Sequence, residues 1–137
     1  MKKSARLFTI LSVMLFFVTA NVVMAQKAAE PWNIPAKYKT MKSTVKAGDA
    51  SINSVGKELY NKHCKSCHGT KGLGDGPKAA MMKTAMPSFA DAKFKAQTDG
   101  EIYYQSIIGR GEMPNFEKKI VDEGDRWALV GYTRSLK

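Results

Sequence analysis

"HCKSCHG", residues 63–69, holds every cysteine and every histidine of the chain. Two thiols three positions apart, with an imidazole on either side, suit several chemistries. They could form a zinc clip, a short disulfide, a thiol redox switch or the tether of a prosthetic group. The surrounding sequence decides among them.

Structural zinc takes four ligands in a tetrahedron. All four candidate donors fall within residues 63–68, with no second cysteine or histidine pair elsewhere, and adjacent side chains on a helix diverge. A thioredoxin-like dithiol sits at a helix N-terminus after a strand, where the helix dipole lowers the first thiol's pKa. Here the cysteines close a helical pattern and no βαβ signal precedes them. A disulfide across two residues constrains little of the unfolded chain and leaves His68 without a role. Cys-x-x-Cys-His uses every residue as a haem attachment site: Cys64 and Cys67 add to two vinyl groups as thioethers, and His68 reaches the iron from the proximal side.

The N-terminus agrees with that reading. Lys2, Lys3 and Arg6 precede a largely apolar, uncharged run from Leu7 to Met24, and Val23-Met24-Ala25 supplies small or branched residues at the exit. This predicts a signal peptide over residues 1–25, cleaved after Ala25, and a periplasmic protein. If it is retained, the segment is close to the length that spans a bilayer and would anchor the chain. Export places the thiols in an oxidising compartment, where free cysteines pair unless something else consumes them. Of the 137 residues, 22 are Lys or Arg and 12 are Asp or Glu, for a net charge of +10. Without residues 1–25 there remain 112 residues, with 19 cations against 12 carboxylates. That suits one small domain with a basic surface for docking an acidic partner protein. No basic arm interleaved with stacking aromatics points to nucleic acid.

Residues 26–50 lack helical periodicity. Pro31 and Pro35 break regular structure and five lysines keep the segment solvated. We expect an extended arm, pinned by Trp32 or Tyr38, with the main domain over 51–137. A first helix is expected from about Ser54 to Lys65, capped by Asn53 or Ser54. Gly56 within it costs stability relative to alanine, which implies that another helix crosses closely there. "GTKGLGDGP", residues 69–77, is a loop, followed by a short helix from Pro77 to about Thr84; "AMPSFADAKFKAQ" reads as irregular. Thr98 and Glu101 have the spacing of a capping box and open a helix that stops at Gly109. Asp122 caps the last helix, with Asp125 at the box position. Strand signals are nearly absent. The fold class is all-α: three main helices, short helices and long loops. Loops of that length in a small domain need something to enclose, and one covalently bound haem would fill the space.

With these elements in view, the chain resembles the class I c-type cytochromes, small single-haem electron carriers. The resemblance rests on Gly56-x-x-x-Tyr60-x-x-x-Cys64, "CKSCHG", "GLGDGP", "GRGEMPNF" and "DRWALVGYTRSLK", and covers about residues 50–137. It implies the cytochrome c fold and a final helix that crosses the first at Gly56. It also implies haem c tethered through Cys64 and Cys67, its iron ligated by His68 and by an axial methionine before the last helix.

Two methionines share a Met-Pro-x-Phe pattern, at Met86 and at Met113. Met113 is preferred as sixth ligand. It lies in a glycine-flanked loop, farther along the chain from His68, and Pro114 stiffens the backbone beside it. Pro77 is the candidate acceptor for the free ring N–H of His68, since a ligating imidazole usually donates to a carbonyl. His63 is expected to be a bystander. The resulting expectation is a monomeric electron carrier rather than an enzyme, with redox partners that present acidic docking surfaces. Lys62, Lys65, Lys71 and Lys78 are candidates for steering them. The alternatives are a haem-bearing subunit anchored in a respiratory complex, and a haem-ligand-binding or peroxidase-like protein with an open sixth site.

Overall fold

The computed structural model describes residues 26–46 and 49–136. In chain order they carry α1 (Ala36–Lys39), α2 (Ala50–His63), α3 (Lys65–His68), α4 (Ala92–Lys95), α5 (Asp99–Tyr103) and α6 (Glu123–Ser135). A 3₁₀ turn spans Ala79–Met81 and a π turn spans Tyr104–Ile108. Among the described residues, β pairing is limited to two isolated bridges, Lys27 with Thr84 and Arg110 with Met113. The expected signal segment lies outside the described residues. No helix among the described residues is long and apolar enough to cross a membrane.

Capping decides where the helices start. α2 begins at Ala50, four residues before the expected start, because Asp49 outcompetes Asn53 and Ser54 as a cap. Its carboxylate accepts from the Ser51 backbone N–H at 2.9 Å, the Ser51 hydroxyl at 2.6 Å and the Ile52 N–H at 3.3 Å. A charged acceptor makes the stronger cap bonds. The helix closes at His63 rather than Lys65: Cys64 still donates to Tyr60 O at 2.8 Å, but its φ of −114° breaks the regular course before α3. Thr98 and Glu101 form the full reciprocal box at the start of α5. Asp122 caps α6 by accepting from Asp125 N–H at 2.9 Å. The stretch expected to be irregular contains α4, one turn that buries Phe94.

α2 and α6 cross at Gly56. A Cβ built there would fall on the Ala128 carbonyl oxygen and lie 2.7 Å from Tyr132 Cβ. The close approach anticipated from the helix-weakening glycine is therefore present, and it brings Tyr60 onto Tyr132 with ring centroids 5.5 Å apart. Around the crossing Tyr60, Ile102, Ile107, Trp127, Leu129 and Val130 are fully buried. α5 is tied to α6 by polar bonds: Arg134 pairs with Asp99 at 2.7 Å, and Tyr103 donates to Glu123 at 2.9 Å.

The segment before α2 lies along the domain. Tyr38 packs on Tyr104 at 4.7 Å and on Tyr103 at 6.3 Å between ring centroids, and Trp32 meets Tyr104 edge-on at 6.3 Å. Ile34 is buried.

Candidate functional site

The motif that opened the sequence straddles the break between α2 and α3. Cys64, at the break, points into the core alongside Tyr60, and Cys67 is half-buried. Both thiols are free. Burial, with Cys67 close by, pushes the Cys64 thiol up to about 12, so it is protonated at neutral pH. His68 is buried, with its ring stacked on Phe89 at 4.8 Å and Phe89 stacked in turn on Phe94 at 4.5 Å. Loss of solvent lowers the imidazole to about 4, which keeps it neutral with a lone pair to offer. Its Nδ1 is buried with no hydrogen-bond partner. An unpaired buried nitrogen is rare and calls for an explanation.

The loop after the motif folds back on it. Gly74 N–H donates to His68 O at 2.9 Å, Gly76 N–H to Cys67 O at 3.2 Å and Lys78 N–H to Ser66 O at 2.9 Å. The buried Tyr60 hydroxyl donates to Gly69 O at 2.7 Å. The loop thus returns past the motif, but Pro77 is exposed and makes no bond to His68. The loop's bonds go to the backbone carbonyls of Ser66, Cys67 and His68, and the imidazole itself stacks on Phe89.

His68 opens onto a cavity of about 370 Å³. Met86, Phe89, Phe94, Ile102 and Met113 give it apolar walls, and Gln105, Ser106 and Arg110 supply polar groups. The cavity therefore gathers His68, Met86 and Met113, residues up to 45 positions apart. Cys64, Cys67 and Pro77 are not among its lining residues. His63 is also outside it, packed on Phe116 at 5.3 Å.

The Met113 loop is held from beneath. Gly109 has φ +68°, and a Cβ there would strike the carbonyl oxygens of Met113 and Pro114. Only glycine combines the left-handed backbone with that approach. Met113 N–H donates to Arg110 O at 2.9 Å, and Phe116 N–H to Ile107 O at 2.8 Å. Glu112 ties this loop to the one preceding Met86 by accepting from the backbone N–H groups of Lys83 and Thr84, each at 3.0 Å. Those bonds, the one from Lys83 foremost, hold its carboxyl below the usual range.

Sequence reasoning missed Trp32, Gln105, Ser106 and Arg110 as cavity residues. Trp32 and Arg110 meet across 78 positions, and no local periodicity signals such a pair. Gln105 and Ser106 sit on a π turn that no residue pattern announces, though irregular helical turns gather at functional sites.

An all-α chain whose Cys-x-x-Cys-His places its histidine on a methionine-lined cavity has the features of a c-type haem protein. The family model described as Cytochrome c matches residues 54–137, and the chain belongs to that family. No curated protein matches it. Membership implies covalently bound haem c with its iron and haem-based electron transfer. The residues present fit that group: two free thiols at thioether spacing, a neutral buried imidazole with an unpaired nitrogen, and an apolar cavity beside it.

Proposed function

We propose that the chain is a single-haem c-type cytochrome that carries one electron at a time between exported or membrane redox partners. Cys64 and Cys67 would tether the group, and His68 and Met113 would ligate its iron. The observation that supports this best is that His68, neutral and buried, shares one cavity with Met113. Haem c held there supplies a one-electron ferric/ferrous couple, whose potential a histidine–methionine pair and burial raise.

The chain's own residues have separable tasks. Phe89, Phe94 and Ile102 exclude water. Gly109 and Pro114 set the Met113 loop, and Met86 is the alternative sulfur on the same cavity. We assign the Pro77 carbonyl as acceptor for His68 Nδ1–H, a bond the imidazole would make by leaving its stack on Phe89. Lys62, Lys65, Lys71 and Lys78 are exposed and would favour partners with acidic surfaces. Such redox encounters are small and short-lived, which suits a monomer. Residues 1–25 would act as a cleaved export signal, with 26–50 as an arm and 51–137 as the cytochrome domain. Intact mass of the soluble and membrane fractions tests the cleavage.

The pyridine haemochrome spectrum of the purified protein should be that of a two-thioether haem; a colourless protein refutes the reading. The ferric protein should show the weak methionine–iron charge-transfer band. Met113→Ala should abolish it and Met86→Ala should leave it. The reverse result reassigns the ligand to Met86.

A further inference from the structure

Resting on the haem reading above, we propose that residues 27–32 form a wall of the haem cavity that closes it to exogenous iron ligands, with Arg110 and Trp32 as the positioning residues that hold it. This wall lies outside the part of the chain matched to the family, which begins at residue 54. Its Ala28, Ala29 and Trp32 nonetheless line the same cavity as His68, Met86 and Met113.

The segment is fastened at two places, one beside each methionine. Near Met86 it pairs as a strand: Lys27 N–H donates to Lys83 O and Ala85 N–H to Lys27 O, both at 3.0 Å. Three residues before Met113, the Arg110 guanidinium donates to Pro31 O at 2.7 Å and also to Glu30 O. The same guanidinium lies over the Trp32 ring, 4.1 Å from its centroid, and Trp32 meets Tyr104 edge-on. Among the described residues Arg110 makes no ion pair. Its donors go to two carbonyls of an extended segment that no helix or sheet satisfies there. A planar fork suits that task, and a lysine's point charge does not. Cation–π contact with the indole adds to the hold.

The arrangement has a direct consequence for access. A small ligand entering the cavity past residues 27–32 meets this segment before it can compete with Met113. Its apparent affinity is then reduced by the fraction of molecules in which the wall is open. Loosening the clamp raises that fraction.

The test uses the holoprotein and imidazole as probe, with amide hydrogen exchange at Lys27 and Ala85 as a readout independent of the iron. Trp32→Ala and Arg110→Gln should each bind imidazole about ten-fold more tightly and exchange those two amides faster. Trp32→Phe should stay near the parent protein, because a ring is retained. Circular dichroism verifies that the helices persist; should Arg110→Gln not fold, the Trp32 pair alone decides. Unchanged imidazole affinity in Trp32→Ala overturns the proposal, whether or not exchange accelerates. Equal affinity in Trp32→Ala and Trp32→Phe overturns it as well. Failure of the histidine–methionine reading is seen separately, as absence of the charge-transfer band in the parent protein.

Discussion

Gly56→Ala sets two physical effects against each other, and the structure decides the sign. In an isolated helix the change is favourable by about 1 kcal/mol, because alanine loses less backbone entropy. At this site the new Cβ lies on the Ala128 carbonyl oxygen, 2.8 Å from Ala128 C and 2.7 Å from Tyr132 Cβ. Carbon atoms rest at about 3.5–4.0 Å, so α2 and α6 must separate by roughly 1 Å. Backbone opposes backbone here, and no rotamer change relieves the contact. Overpacking of this kind costs about 1–3 kcal/mol, and the separation also loosens Tyr60 and Trp127, both buried to 1% exposure. We expect a net destabilisation of about 2 kcal/mol, the propensity gain included. For a domain of this size that lowers Tm by about 10 °C. Thermal and urea unfolding followed by circular dichroism measure it. A Gly56→Ala protein as stable as the parent, or more stable, refutes the crossing.

Gly109→Ala places a side chain in left-handed backbone, worth about 1–2 kcal/mol, and drives it onto the Met113 and Pro114 carbonyls. Urea unfolding should report a loss of about 2 kcal/mol or more, and the ferric methionine–iron band should weaken in the same variant. Asp49 governs part of the acid limb. Hydrogen bonds from the Ser51 hydroxyl, the Ile52 N–H and the Ser51 N–H lower its pKa. Its stabilisation is therefore present above the unfolded carboxyl's pKa and is lost as pH falls through the lower folded value. The urea-midpoint gap between the parent protein and Asp49→Asn should be constant near neutral pH and close in acid below the usual carboxylate range.

The parts of the fold that were legible beforehand are those whose physics is local. Thr98, Glu101 and Asp122 act within three residues of themselves, and their caps form as spaced. Gly56 was legible for a different reason: a residue that weakens its own helix implies a partner that needs the space. Asp49 was missed because Asn53 and Ser54 offer competing cap residues, and charge settles the choice. Of the site, the haem-attachment reading of Cys64, Cys67 and His68 drew on their spacing together with the lack of a second ligand pair and their place at the end of a helical pattern, all of them features of the linear chain. The cavity was not readable. Arg110 reaches back to Glu30 and Pro31 across some 80 positions, and Met86 and Met113 converge on one space from two loops. Contacts of that range leave no periodic trace in either segment.

The π turn at Tyr104–Ile108 also makes chain length a property of the site. Gly109 N–H closes that turn on Tyr104 O, five residues back, at 3.3 Å. One residue more than an α-helical turn is thus accommodated just before the Met113 loop. In an α-helix each residue advances the chain by about 100°. Deleting one residue from 104–108 would restore regular helix and leave residues 109–113 pointing nearly as they do now, because the wide turn covers with five residues the angle an α turn covers with about four. What such a deletion would lose is the wide turn itself, which carries Gln105 and Ser106 on the cavity wall. A further insertion in that interval, which would turn residues 109–113 by about 100°, should therefore be tolerated far less well than a single deletion.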